Sequence, residues 1–377
     1  MHVIALENHP SSLRGGQELF LLEACRGLSR RGHNVSLLYV SEGNLLEDYQ
    51  KICTHVVKVD SFKIDRSTSA RVFNFLADIW KTPTSKDSVV FSNRYHDVLF
   101  PSTLAFAKNI SHVSFLQLPP LEHDFPRPLA LGLKGVKKFI ALSNQTKLDW
   151  VKSGLNEEKI EIVHGGTNPE KFKPSNDFSL TRKEWNIPEN TRIVSYVGRL
   201  DKEKGLETLI KAFALLPKGN VNTRLLIAGK PLSQGEEYKK SLEQLVIDLG
   251  IEQEVNFLGH VANPASVYQV SDVTVLPSLW SEPFGRTNIE SMACGTPVVA
   301  SRTGGITEIL TGEFEKGLFE PGNEQDLAAT LSQILHWRDK DPDLGKRCRA
   351  HVLSNFTLDT MVDGIEKVLL SVVKYST

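Results

Sequence analysis

In SEPFGRTNIESMACGTP (281–297), Glu282 and Glu290 bracket what the sequence marks as a helix start. Pro283 biases Glu282 towards extended backbone, so the helix begins after it. Gly285 permits a tight turn, and TNIESMA then runs as a helix to Cys294 and Gly295. A helix start gathers unpaired N–H groups and the positive end of the dipole, and so attracts anions. Two carboxylates beside an anion site therefore need an explanation. Both can accept hydrogen bonds from ligand hydroxyls at several lone pairs. They can also be read as the acid and base of a glycosidase. In a third reading, Glu282 is a helix-start acid stabilised by the dipole and Glu290 lies on a solvated face.

A second loop, GRLDKEKG (198–205), follows a predicted strand and carries Arg199 and Lys204. A guanidinium binds a diphosphate by bidentate hydrogen bonds, and an ammonium binds it as a point charge. Asp201 and Glu203 dilute that charge, so a plain solvated loop competes with this reading. The Gly15 and Gly16 turn before the first helix can bring backbone N–H groups close to a phosphate, or simply turn the chain. RTGGITEIL (302–310) poses the same alternative. No GxGxxG fingerprint is present, which argues against a dinucleotide cofactor. A ligand with a diphosphate in the middle and hydroxyls at both ends accounts for cations, helix start and acids together. A nucleotide sugar has that shape.

These groups must be carried by a framework. The chain has 377 residues, which predicts two domains. At 40% hydrophobic and 24% charged it is a globular sequence. A formal net charge of −1 gives no sign of a nucleic-acid partner. Cys25, Cys53, Cys294 and Cys348 have no metal-ligand spacing and read as free thiols of a reducing compartment, so no metal is expected. MHVIAL is too short for a signal peptide or membrane span. A cytoplasmic protein is expected. LKGVKKF (133–139) offers a small basic surface for peripheral contact with the inner face of a membrane, against the plainer reading of a solvated helix end.

The first half alternates strands at 2–6, 34–40, 88–92, 112–117, 138–143 and 159–164 with helical stretches, the first at 17–32. The Pro-, Asn- and charge-rich segment 165–191 marks a boundary. The βαβ pattern then restarts, with strands at 192–198, 223–229, 254–259, 272–278, 296–301 and 316–320, and a tail helix from near Leu358. The predicted fold is α/β, two doubly wound Rossmann-like domains. The first spans 1–170 with 358–377 and the second 171–357. The ligand is expected in a cleft between them, at the carboxyl ends of the strands.

EPFGRTNIE resembles the E-x7-E motif of the retaining glycosyltransferases of the large family-four group, which have the GT-B fold. SMACGTPVVAS with the following glycine pair, VGRLDKEKG, FLGHV, SDVTVLPS and the early GGQE extend the resemblance over most of the chain. It implies that Arg199 and Lys204 bind the donor diphosphate and stabilise the leaving group. Glu282 would hold hydroxyls of the transferred sugar, helped by backbone N–H groups at Phe284, Gly285 and Arg286. Glu290 would hold the ribose. Gly16, Gly229, Thr287 and the loop from Gly259 to Val261 would complete the donor site.

The first half departs from the family pattern. Gln117 stands where many relatives have a histidine, with His123 six residues on. Arg94 and His96, in SNRYHD after a strand end, are further acceptor-side candidates. The expected activity is metal-independent transfer of a hexose, glucose from UDP-glucose as first guess, to a hydroxyl acceptor with retention. Polysaccharide, lipid-linked glycan or glycolipid synthesis is the expected setting. A GT-B sugar-nucleotide epimerase and a non-catalytic nucleotide-sugar binder are the alternatives.

Overall fold

The protein is described from a computed structural model, which covers residues 1–12, 15–64, 69–120, 125–175, 177–217, 222–231 and 236–373. The chain divides into two compact units, Met1–Gly165 with Leu358–Thr377, and Gly166–Thr357.

Unit 1 begins with β1 (His2–Glu7), α1 (Gly16–Arg30), β2 (Asn34–Tyr39), α2 (Leu46–Gln50), β3 (His55–Lys58) and α3 (Ser69–Lys81). It continues through β4 (Ser88–Ser92), α4 (Leu99–Ala107), β5 (Ser111–Leu116), α5 (Arg127–Lys134), β6 (Lys138–Ala141), α6 (Asn144–Lys152) and β7 (Ile160–Ile162). The strands form a parallel seven-stranded sheet in the order β3-β2-β1-β4-β5-β6-β7. Every residue of β1, β4 and β5 is buried, as continuous apolar runs covered on both faces require. The single buried polar ring of β1, His2, is satisfied by Ser88 Oγ at 2.9 Å and Ser36 Oγ at 2.8 Å. The sequence patterning missed β3. It is a four-residue edge strand, exposed or half-buried throughout, so its alternation is short and diluted.

Unit 2 contains α7 (Ser179–Glu184), β8 (Thr191–Val197), α8 (Leu206–Ala214), β9 (Asn222–Ala228), α9 (Glu236–Asp248), β10 (Val255–Gly259), α10 (Pro264–Val270) and β11 (Val273–Leu276). There follow α11 (Arg286–Ala293), β12 (Val298–Ser301), α12 (Ile306–Ile309), β13 (Leu318–Phe319), α13 (Glu324–Ile334), α14 (Trp337–Lys340) and α15 (Leu344–Asn355). The parallel sheet runs β10-β9-β8-β11-β12-β13. Val194, Tyr196, Leu209, Leu225, Val275 and Phe319 lie in its main core.

The final helix, α16 (Leu358–Leu370), belongs to unit 1 and packs on α1. Gly27 makes this possible, since a Cβ there would lie 2.4 Å from Val362. Arg31 and His33 clamp Glu366 at 2.5 Å and 2.6 Å.

Both sheets reverse strand order next to their first strand, between β1 and β4 and between β8 and β11. In open α/β sheets, ligands bind beyond the strand ends at such switch points.

Candidate functional site

In unit 2 the two loops that leave the switch point are the ones the sequence singled out. Beyond β8, Gly198 leads into Arg199 and a 3-10 turn at Lys202–Lys204. Gly205, at φ +67°, then opens α8, and a Cβ on it would lie 2.0 Å from the Pro277 carbonyl. The N–H of Leu279 donates to the Glu203 carbonyl at 2.8 Å. The Lys204 turn is therefore pinned by backbone to the loop beyond β11.

That pinning sets a pair. Lys204 Nζ lies 2.6 Å from Glu282 Oε2, and both side chains are largely buried. The same oxygen accepts from Ser278 Oγ at 3.0 Å and Trp280 Nε1 at 3.1 Å. The Lys204 ammonium also stands 5.4 Å from the centre of the Trp280 ring. Neither Ser278 nor Trp280 was evident from the sequence, where SLW reads only as the end of a strand. Lys204 is not a solvated loop residue.

The glycine pair at 304–305 has a specific task. Gly305 N–H donates to the Glu282 carbonyl at 2.7 Å. A Cβ on Gly304, at φ +54°, would lie 2.1 Å from that same oxygen. This pair packs against the Glu282 backbone and holds the carboxylate in place.

Gly285 adopts φ +91° and starts α11, which confirms the turn that Pro283 and Gly285 predict. Phe284 is buried against Phe356, with ring centres 5.8 Å apart. Glu290, in the second turn of α11, is buried rather than solvated. Its Oε1 accepts from Arg286 Nε at 2.7 Å and its Oε2 from Tyr268 Oη at 3.0 Å. Burial first, and then Glu290, push the Tyr268 phenol well above its ordinary range, so it stays a donor. Thr287 Oγ1 donates to the Val197 carbonyl at 3.3 Å, tying α11 to the end of β8. Arg199, by contrast, turns to Asp201 at 3.2 Å and meets neither glutamate.

The ends of β8, β9 and β10 carry Gly198, Gly229 and Gly259. Gly229, at φ +148°, donates to the Gly259 carbonyl at 2.7 Å, and a Cβ on it would lie 1.7 Å from the Gly198 carbonyl. At Gly229 a side chain is excluded by backbone contact. Val261 follows, half-buried, in the loop before α10.

Unit 1 has its own cluster at the ends of β1, β4 and β5. Asn93 Nδ2 donates to Glu7 Oε2 at 2.9 Å and to the Gln17 carbonyl at 3.3 Å. Gln117 Nε2 donates to Asn93 Oδ1 and, at 3.2 Å, to the same Gln17 carbonyl. The sequence-predicted Gln117 amide is therefore buried and engaged within the protein. Glu7, missed at the sequence level, is 1% exposed. Burial, reinforced by Glu18, pushes its pKa up to about 7. The signal available was an acid closing an otherwise apolar strand. Gly16 opens α1, and a Cβ on it would meet only Phe20, at 3.9 Å, so packing does not demand glycine there. Arg94 Nε stands 3.6 Å from Asp97. His96 is exposed, its ring 3.8 Å from that of Tyr95, and lines a pocket of about 290 Å³ with Phe62, Leu99 and Phe125. His123 lies outside the described residues.

Residues 177–351 match the model of the glycosyl transferases group 1, and residues 14–171 match that of Glycosyltransferase Family 4. An uncharacterized glycosyltransferase of Methanocaldococcus jannaschii is 33% identical over 358 residues, 87% of each chain. The chain belongs to glycosyltransferase family 4. It is also 32% identical, over 212 residues, to the D-inositol 3-phosphate glycosyltransferase of Mycolicibacterium smegmatis. That match covers 56% of this chain and 47% of the relative, so the chain spans about half the length of several curated relatives it matches. Anabaena HepE, crystallised with UDP-glucose, superimposes with a TM-score of 0.83 at 23% identity, covering 98% of this chain and 100% of that one. The chain thus has the GT-B fold, two Rossmann-like domains as the sequence predicts.

Proposed function

We propose that this glycosyltransferase transfers a hexose from a nucleoside-diphosphate sugar to a hydroxyl acceptor with retention of configuration, and that it does so without a metal ion. UDP-glucose is the first donor to test. The observation that carries the reading is the Lys204–Glu282 pair at the switch point of unit 2, beside the start of α11. Breaking the anomeric C–O bond places new negative charge on the departing diphosphate. A fixed ammonium and the positive end of a helix, placed where that charge grows, lower the barrier without reorganisation. Arg199, half-buried on the same loop, adds bidentate donors once it swings from Asp201. With Lys204 on the phosphates, Glu282 is released to accept hydroxyls of the sugar. Glu290, oriented by Arg286 and Tyr268, accepts the ribose hydroxyls. Gly229 and the 259–261 loop flank the base. The acceptor is a glycan or lipid-linked hydroxyl compound in polysaccharide, lipid-linked glycan or glycolipid synthesis.

Donors surround both carboxylates, so each serves as a hydrogen-bond acceptor, which favours hydroxyl binding over a glycosidase acid–base pair. The HepE complex with UDP-glucose supports the donor class by analogy of fold. The experiment is a thermal-shift screen of UDP-, GDP- and ADP-sugars, followed by turnover with and without EDTA. The true donor raises the melting temperature by mass action. Stabilisation by no sugar nucleotide, or loss of turnover in EDTA, overturns the corresponding part. Conversion of a UDP-sugar without acceptor would instead identify an epimerase.

A further inference from the structure

Helices α3, α4 and α5 of unit 1 follow β3, β4 and β5, and α3 packs on α4 as α4 does on α5. Right-handed crossovers place all three on one face of the sheet. That face is apolar where it meets water. Phe73 and Trp80 of α3 are 70% and 69% exposed, and Phe106 of α4 is 89% exposed. Leu76 and Leu131 add to them. All the large exposed aromatics among the described residues lie on this face. In α3, Phe73, Leu76 and Trp80 recur at helical spacing on the flank of the stripe that buries Phe75 and Ile79, so the apolar surface is wider than a soluble helix needs and runs out into water.

Apart from one buried acid, the charged residues on the same helices are basic. They carry Arg71, Lys81, Arg127 and Lys134, and Lys108 caps α4. Their only acid, Asp78, is 3% exposed and neutralised by Lys81 at 2.5 Å. Lys108 Nζ donates to the Trp80 carbonyl at 3.0 Å and lies 5.3 Å from that ring, so aromatic and cation form one surface unit. In the 133–139 segment, Lys134 and Lys137 are exposed, while Lys138 is engaged by Glu161 at 2.8 Å. The lysines there are the margin of a larger surface.

We propose that the α3–α5 face docks on an anionic lipid bilayer. Aromatic rings and leucines on the polar surface of a helix insert at the headgroup boundary, and Lys and Arg around them pair with anionic headgroups. Among the described residues no helix is long and apolar enough to cross a membrane, so the contact is peripheral. The inference goes beyond the donor chemistry and is tested apart from it.

The test is co-sedimentation of the full chain with vesicles of phosphatidylcholine, alone or mixed with phosphatidylglycerol. Binding to the mixed vesicles that falls with added salt is expected, with little binding to phosphatidylcholine alone. F73S/W80S and R127E/K134E should each weaken it by about tenfold or more. Equal binding by both variants and the parent, or no response to phosphatidylglycerol, overturns the proposal. So does a concentration-dependent dimer lost in F73S/W80S, which would make the face a protein interface. A donor-induced thermal shift retained in both variants shows that they fold, and separates failure here from failure of the donor assignment.

Discussion

Lys204 Nζ and Glu282 Oε2 lie 2.6 Å apart, joined across the two loops that leave the unit 2 switch point. Each partner offsets the other's charge in a largely buried setting, and under the proposed function a donor diphosphate would draw the ammonium away. Lys204→Ala should lower kcat by about 10²–10³-fold, the scale of losing one preorganised charge contact. Glu282→Ala should fall in the same range. Because the residues act as a unit, K204A/E282A should be much less impaired than the product of the single effects. Steady-state kinetics of the double-mutant cycle read this. Near parental kinetics in Lys204→Ala would count against the assignment.

Tyr268 donates its hydroxyl to Glu290 Oε2 at 3.0 Å. Tyr268→Phe should leave kcat nearly unchanged and raise the donor KM several-fold, as one hydrogen bond of about 1 kcal/mol is lost from the carboxylate proposed to hold the ribose. Glu290→Gln should show the same split more strongly. A fall in kcat with constant KM would place Glu290 at the reacting centre instead.

Two glycines separate backbone strain from site geometry. Gly304 and Gly312 have φ +54° and +59°, but only the Gly304 Cβ would strike backbone, 2.1 Å from the Glu282 carbonyl. Gly312→Ala should cost about 1–2 kcal/mol in stability and leave turnover intact. Gly304→Ala should cost more and also lower kcat, because Glu282 must move. Denaturant titrations and turnover on both variants decide it. Equal kinetics would show that the glycine pair does not hold Glu282.

The loops of unit 2 were legible because glycine and proline mark turns whatever surrounds them. Pro283 and Gly285 marked the start of α11 from local chemistry alone. Buried strands such as β1 and β4 were equally plain as apolar runs. The short edge strand β3 carried too little pattern. Pairings were the harder part. Glu7, Asn93 and Gln117 meet only because β1, β4 and β5 are neighbours in the sheet, which no local window reveals. Lys204 and Glu282 were both named, yet their direct contact depends on the backbone tie between Glu203 and Leu279. The apolar α3–α5 face was hidden for a different reason. Which of its aromatics face water follows from how α3, α4 and α5 pack on the sheet and on one another, not from their own sequence.

Glu7 gives the remaining prediction, on stability and pH. Its folded pKa is raised from 4.5 to about 7, chiefly by burial and then by Glu18. The folded protein therefore holds this proton more tightly than the unfolded chain. Its favourable contribution is fully present below about pH 4.5 and is lost as pH rises through about 7. The full swing for such a shift is about 3 kcal/mol, with most of it crossed between pH 5 and 8. Glu7→Gln keeps the shape and an acceptor for Asn93 but cannot ionise. Relative to the parent, E7Q should gain stability between pH 5 and pH 8 in denaturant titrations. If the difference between the two proteins does not change with pH, Glu7 is not the buried acid that titrates.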